Sequence, residues 1–173
     1  SGGDQRLGHL EPDRMLDNLR SVLGVTEHRT IGWHLKSLID LLHRSAPKLV
    51  AVPIPIALQH GDFKPDNILI DGDHVVGIDI GAAYTSPIVE DISHFFFHLD
   101  MHLLQPPAWH LLPWRRRLRL AFMHGYGLDR SPSLDAVLAW AELQRTLRLS
   151  IERAKVIEGS VRKLYLSICY GLC

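Results

Sequence analysis

The amino-acid sequence predicts a mainly α-helical domain with one small β-hairpin in its middle, an α+β fold. Apolar residues recur at helical spacing in segments on both sides of the chain's centre. Between them, the β-rich runs NILI (67–70) and VVGID (75–79) flank the turn sequence DGDH. With 173 residues and 46% hydrophobic content, the chain is long enough to bury one core.

Two helices are predicted before the hairpin. The first follows Glu11-Pro12 and reaches Gly24, and the second runs from about Thr30 to His43, before Ala46-Pro47. The next segment, 49–62, contains two prolines that exclude a helix, so we expect an extended segment or an edge strand there.

Helices are predicted again after the hairpin. One buried helix should cover 87–104, and a second should cover 113–127 and end at Gly125 or Gly127. Ser131-Pro132-Ser133 should cap a long third segment, which Gly159 separates from a last helix over 160–172. We expect one domain over residues 4–173, with residues 1–3 a cleavage scar, because SGGDQ lacks the plan of a signal peptide.

Charge, hydropathy and cysteine content limit the kinds of partner and of cysteine chemistry that we expect. Nineteen basic residues balance nineteen acidic ones, which argues against a nucleic-acid partner, and no apolar run approaches the roughly 20 residues of a membrane span. The two cysteines, Cys169 and Cys173, are spaced so that a helix would bring them together in a metal site or a disulfide. Reduced thiols in a cytoplasmic protein are the favoured interpretation.

The hairpin is predicted to bring oxygen ligands together. With the turn centred on Asp73, Asn67 and Asp79 would lie opposite each other, with Cβ atoms about 5 Å apart. Mg²⁺ prefers oxygen ligands and is usually held by one or two protein groups plus substrate phosphates. Asp62, five residues before Asn67, is placed to accept a proton from a substrate hydroxyl. Asp71 is interpreted, like Asp73, as an ordinary turn residue.

The string HGDFKPDNILI…VVGIDIG (60–81) resembles the catalytic core of the aminoglycoside phosphotransferase-like kinases, which include the choline kinases. The resemblance implies that Asp62 is the catalytic base and that Asn67 and Asp79 bind magnesium. It also implies that His60 shapes the loop and that Asp91 holds the loop through backbone hydrogen bonds.

Two positions depart from the pattern of that family. Lys64 stands where protein kinases place a lysine that faces the transferred phosphate, and we favour this catalytic role over that of a solvated loop lysine. Ile80 stands where phenylalanine is usual, and it keeps the position apolar.

The resemblance implies a protein-kinase-like C-terminal (catalytic) lobe that lacks the N-terminal ATP-binding lobe, because no sheet with a phosphate-covering loop is predicted before Asp62. It implies ATP and Mg²⁺ as cofactors, with the nucleotide held mostly by the missing lobe, and a small-molecule or glycan hydroxyl as acceptor. The exposed lobe–lobe surface could support self-association.

Two alternatives to this enzyme stay open. A protein-kinase lobe is disfavoured because Gly61 replaces an arginine and only about ten residues separate Asp79 from Asp91. A non-catalytic scaffold is disfavoured because the Asp–Asn–Asp set is intact.

Three weaker features have structural interpretations that we prefer. The basic run 114–119 is interpreted as a solvated helix face rather than a site for an anionic acceptor or membrane. His94, His98 and His102 are interpreted as a partly buried polar seam rather than a transition-metal site. The aromatic residues Trp140, Tyr165 and Tyr170 are interpreted as core or edge-of-core residues.

Overall fold

The computed structural model describes residues 6–24, 33–81, 84–128 and 131–156. This part of the chain is mostly helical with two small antiparallel sheets, so the α+β prediction is confirmed at this level. In chain order the elements are β1 (Leu7–His9), α1 (Pro12–Gly24), α2 (Trp33–Ser45), β2 (Pro53–Leu58), β3 (Ile68–Asp71), β4 (His74–Gly77), β5 (Thr85–Pro87), α3 (Val89–Leu103), α4 (Arg115–Gly125) and α5 (Pro132–Val156).

The core lies where α5 packs against α3 and α1. Each of these helices contributes fully buried apolar side chains at helical spacing, including Leu19, Ile92, Phe96, Val137 and Leu147. The predicted helices over 12–24, 87–104 and 113–127 are confirmed to within about two residues.

The start and middle of α5 are fixed by hydrogen bonds. The Ser131 hydroxyl accepts the backbone N–H of Leu134 at 3.1 Å, and Pro132 occupies the first helical position, as the capping prediction required. The indole N–H of Trp140 donates to the carbonyl of Leu42 at 3.0 Å, which joins α5 to α2. Trp140 is buried, so its assignment to the core is confirmed.

A three-stranded sheet in the order β1-β2-β5 was not predicted. Its outer strands have three residues each, too few to show an alternating pattern. The extended segment is present as β2, but in the middle of the sheet rather than at its edge. Pro53 and Pro55 are tolerated because they lie in the half of β2 that pairs with β1 alone, while β5 pairs with residues 56–58.

The hairpin of β3 and β4 forms, but its register differs from the prediction by one residue. Asp71 pairs with His74 across a two-residue loop in which Gly72 has a φ of +57°. A two-residue loop places the centre of the hairpin between residues 72 and 73, not on Asp73. The backbone N–H of Ile78 therefore donates to the carbonyl of Asn67 at 3.0 Å, and the predicted Asn67–Asp79 pair is wrong.

Several predictions fall outside the described residues: the scar at residues 1–3, the last helix over 160–172, both cysteines, Tyr165 and Tyr170. Among the described helices, none combines the length and apolar character needed to cross a bilayer.

Ile92→Ala should lower the free energy of unfolding by about 2–4 kcal/mol, because the side chain is 0% exposed between packed helices. Ile70→Ala is the matched control, since Ile70 is 74% exposed on the hairpin, and it should cost under about 1 kcal/mol. Urea denaturation of both variants measures the difference. Equal losses would contradict this description of the core.

Candidate active site

The loop that carries the predicted catalytic residues is anchored at its start by Gln59. The backbone N–H of this residue donates to the carbonyl of Tyr84 at 3.0 Å, and its side-chain amide donates to the carbonyl of Ser86 at 2.9 Å. Gln59 itself is buried. The chain therefore leaves β2 in a fixed position beside β5.

Asp91 holds the next two residues of the loop. Its carboxylate accepts the backbone N–H of His60 at 2.6 Å and that of Gly61 at 3.2 Å. Gly61 has a φ of +82°, a left-handed conformation that glycine adopts without a steric penalty. These are the contacts that the predicted supporting role of Asp91 requires, while its effect on catalysis stays a prediction.

Aromatic packing fixes the middle of the loop. The ring of Phe63 lies 5.1 Å from that of Phe95 and 5.5 Å from that of His60. A Cβ atom at Gly77 would lie 3.7 Å from His60 Nε2, which places the His60 ring beside this residue of the hairpin. His60 therefore packs the loop against the hairpin, and its predicted shaping role stays a prediction.

Two of the predicted site residues, Lys64 and Asn67, converge on the carboxylate of a third, Asp62. Lys64 Nζ contacts Asp62 Oδ2 directly, and Asn67 Nδ2 donates to Asp62 Oδ2 at 3.2 Å and to the Asp62 carbonyl at 2.8 Å. Burial raises the pKa of Asp62, but the hydrogen bonds and the charge of Lys64 outweigh it and lower the pKa of this carboxyl. Asp62 is consequently ionised across the neutral pH range.

His94 also faces Asp62, a contact that the sequence analysis missed. Its Nε2 lies 3.3 Å from Asp62 Oδ1, an ion-pair distance, although the angle is outside hydrogen-bond geometry. Burial, together with nearby Arg145 and His98, lowers the pKa of His94 to about 4. His94 is therefore neutral at pH 7. Below the usual pKa of Asp62 it is protonated, and its charge adds to the effects of Lys64 and Asn67 that lower the pKa of this carboxyl.

Asp79 is exposed and lies just beyond the hairpin strands, and it makes no hydrogen bond or ion pair with Asp62, Lys64 or Asn67 in the described part of the chain. It has a φ of +58°, the sole left-handed non-glycine residue among those described, directly beyond the hairpin end at Asn67. Because this left-handed residue interrupts the alternation of side chains along the strand, the register of the hairpin does not determine the direction of the Asp79 carboxylate. The backbone N–H of Gly81 then donates to the His60 carbonyl at 2.9 Å, which ties the segment after Asp79 to the catalytic loop.

The residues present fit a magnesium ion that is held largely by phosphates. Asn67 is 6% exposed and donates hydrogen bonds from its amide nitrogen to Asp62, which leaves its side-chain carbonyl oxygen free to face a metal ion. Asp79 supplies an exposed carboxylate at the same end of the hairpin. No set of three or more His, Cys, Asp or Glu side chains forms a metal cage within the described ranges. A nucleotide-bound magnesium needs only one or two protein ligands.

The histidines of α3 form the polar seam that the sequence predicted. The rings of His94 and His98 lie 4.7 Å apart, and His102 Nε2 lies 3.1 Å from Asp66 Oδ1. The seam thus connects helix α3 to the catalytic loop at two points, through Asp62 and through Asp66.

Three of the four arginines of the basic run 114–119 make internal contacts. Arg115 donates two hydrogen bonds to Asp100, and Arg119 pairs with Glu142 and lies over the ring of Phe96. Arg117 stacks on Trp114. Arg116 and Arg117 are exposed, as the prediction of a solvated helix face requires, whereas Arg115 and Arg119 are partly buried in ion pairs.

Comparison with known proteins decides the family. The model of the phosphotransferase enzyme family (APH) matches residues 5–144, which include the loop, the hairpin and helices α1 to α4. The chain belongs to the phosphotransferase enzyme family. The resemblance to the aminoglycoside phosphotransferase-like kinases is thereby confirmed.

A viral protein shares a shorter stretch with this phosphotransferase-family chain. The "Putative serine/threonine-protein kinase 040L" of Invertebrate iridescent virus 3 is 39% identical over 49 residues. The match spans 28% of this chain and 14% of the viral protein, so the chain corresponds to a small part of that relative.

Protonation of His94 should make folding sensitive to pH. Because the folded-state pKa is about 4 and the usual value is 6.5, the unfolded chain binds the proton first as the pH falls. The stability that neutral His94 provides is complete above about pH 6.5. We expect about 3 kcal/mol of it to be lost between pH 6.5 and pH 4.

Urea denaturation at half-unit pH intervals, with wild type and His94→Gln, measures this loss. The variant should show a flatter dependence between pH 6.5 and pH 4, whereas His110→Gln, at an exposed position, should follow the wild type. Parallel curves for wild type and His94→Gln would contradict the buried, neutral state of His94.

Proposed function

We propose that this chain is the catalytic lobe of an ATP- and Mg²⁺-dependent cytoplasmic enzyme that transfers the γ-phosphate to a hydroxyl of a small molecule or glycan. One observation supports this most directly. In a member of the phosphotransferase family, Asp62, Lys64 and Asn67 share a single hydrogen-bonded cluster whose loop is held by Asp91.

Each residue of the cluster has a task in the proposed reaction. Asp62 accepts a hydrogen bond from the acceptor hydroxyl and orients its oxygen toward the γ-phosphorus. The new O–P bond forms as the bond between the γ-phosphorus and the bridging oxygen breaks, and the hydroxyl proton passes to Asp62. Lys64, which is in contact with Asp62, offsets charge on the transferred group. A magnesium ion held by Asn67 and Asp79 would neutralise phosphate charge.

The exposed hairpin supports a second lobe as the partner that completes the nucleotide site. Both of its faces present apolar side chains to solvent, a surface that isolated domains rarely leave bare. These side chains are Leu69, Ile70, Val75, Val76, Ile78 and Ile80. A nucleotide-binding lobe on this surface would lie next to Asn67 and Asp79, and self-association through the same surface is the alternative.

A protein acceptor is the second candidate, and it draws support from the name of the viral relative and from Lys64. The path of the chain after Asp79 favours a small acceptor instead. Strand β5 begins at Thr85 and pairs at once with β2, and α3 follows from Val89. This leaves no room for the long segment on which a peptide substrate would dock.

Asp62→Asn in the full-length protein should lower kcat by about 10²–10⁴-fold and leave folding nearly intact. The amide keeps the size of the side chain but cannot take the proton. Asp66→Asn is the matched control on the same loop, and it should retain most activity. ATP-dependent phosphorylation of a panel of hydroxyl acceptors measures both, and equal rates for Asp62→Asn and wild type would refute the assigned role.

Asp79→Ala should weaken magnesium-dependent nucleotide binding by about tenfold or more, because one of two charged or polar magnesium ligands is lost. Calorimetry of the full-length protein with ATP, with and without Mg²⁺, measures the change. Asp73→Ala, which removes a carboxylate from the hairpin turn, should bind as the wild type does. Unchanged affinity in Asp79→Ala would count against the magnesium site.

A further inference from the structure

A polar cavity of about 230 Å³ lies beside the start of the catalytic loop, and the proposed reaction does not use its cationic groups. Gly61 forms part of its wall. Three arginines line it, Arg14 from α1 and Arg145 and Arg148 from α5. The last two are three residues apart and thus share one face of the helix.

The two carboxylates in the cavity wall are already engaged. Glu90 pairs with Arg14 at 2.6 Å, and Asp91 accepts the two backbone N–H groups of the catalytic loop. Arg14 also pairs with Glu11 at 2.9 Å and Arg148 pairs with Glu152, so Arg145 is the guanidinium group of the lining that has no carboxylate at ion-pair distance among the described residues. The cavity therefore favours an anion over a cation.

Arg145 carries the donor that lacks a partner. One of its terminal nitrogens donates to the carbonyl of Glu90 at a long 3.4 Å, while its Nε is buried without a hydrogen-bond partner in the described chain. Arg148 is held by Glu152 at 3.0 Å through its Nε, and its terminal nitrogens extend beyond that contact. A buried, unpaired guanidinium N–H is costly unless a ligand satisfies it.

The electrostatic environment of Arg145 agrees with this geometry. Burial, followed by the charge of Arg148, lowers the pKa of the Arg145 guanidinium. An arginine nevertheless stays protonated in proteins, so Arg145 remains charged and its burial is energetically unfavourable. An anion between the two guanidinium groups would offset both the burial and their mutual repulsion.

We propose that this cavity binds a phosphate-class dianion, either orthophosphate or the phosphate of a monoester, with Arg145 and Arg148 as its principal ligands. The planar guanidinium fork matches two phosphate oxygens at once. The cavity has room for a phosphate and a few further atoms, since one water takes about 30 Å³ of liquid volume. The site is separate from the Asp62 cluster and does not depend on phosphoryl transfer.

Occupancy of the cavity should be felt at the catalytic loop. Asp91 lines the cavity and also holds the backbone of His60 and Gly61, and Gly61 is part of the same wall. An anion bound to the two arginines would therefore lie in the same cavity as Asp91 and Gly61, whose hydrogen bond helps to position the next residue, Asp62.

Calorimetry with inorganic phosphate and, separately, with O-phosphoserine tests the site on the full chain. EDTA is present so that magnesium-dependent binding is absent, and chloride holds the ionic strength constant. For the ligand that binds more tightly to the wild type, Arg145→Gln should lower the affinity by at least about tenfold. Arg148→Gln should lower the affinity for the same ligand by a smaller factor. Which ligand binds more tightly identifies free phosphate or a phosphate ester as the natural form.

Two control variants locate the binding. Arg117→Gln removes one positive charge from a residue that stacks on Trp114, and Lys64→Gln removes the cation of the catalytic cluster. Both should bind as the wild type does. Circular dichroism establishes that each variant is folded, and if Arg145→Gln unfolds, Arg148→Gln decides alone.

Two results would overturn the proposal. One is equal affinity in wild type and in every folded variant of the two cavity arginines. The other is a loss of binding in Lys64→Gln as large as in Arg145→Gln, which would place the phosphate at the catalytic loop instead.

Discussion

The site depends on the carboxylate of Asp91, because this carboxylate fixes the backbone at the start of the loop that contains Asp62, Lys64 and Asn67. Two backbone N–H groups at the start of that loop, on His60 and Gly61, donate to this buried carboxylate. Hydrogen bonds to a charged acceptor contribute about 1.5–3 kcal/mol each, roughly twice the value of neutral ones. Without Asp91 both donors would be left near the protein interior without a partner.

The hydrogen bonds of Asp91 also link the loop to two other parts of the chain, the helical core and the segment after Asp79. Asp91 lies in the first turn of α3, which packs on α5 and so fixes the loop relative to the core. The carbonyl of His60 in turn accepts the N–H of Gly81, so the segment after Asp79 is held by a residue that Asp91 already holds. The positions of the candidate magnesium ligands therefore depend on helix α3 as well as on the hairpin.

Local patterns in the sequence predicted the parts of the fold that depend on local forces. The helices α1, α3, α4 and α5 follow from apolar spacing, and Ser131-Pro132 marked the start of α5. The strands β1 and β5 could not be found, because three residues show no period and their pairing with β2 is non-local. The hairpin register failed by one residue because a loop of two residues has its centre between them.

The site shows the same division between local and non-local information. The catalytic string brought Asp62, Lys64 and Asn67 together in one short loop, where sequence spacing limits the distances. His94 is three residues after Asp91 and shares its helix face, a signal that was present but not used. The arginine cavity could not be predicted, since it forms only where α1, α3 and α5 meet the loop.

The lowered pKa of Asp62 limits what this carboxylate can do in the proposed reaction. Lys64 and Asn67 stabilise its ionised form, so its pKa lies below the ordinary 3.8. A hydroxyl as acidic as bulk water has a pKa of about 15.7, so full proton transfer before bond formation would cost about 16 kcal/mol even with a carboxylate of ordinary pKa. The proton can move to Asp62 only as the O–P bond forms and the hydroxyl becomes acidic. Before that, the carboxylate orients the acceptor, and the contacts that weaken it as a base are those that fix its direction.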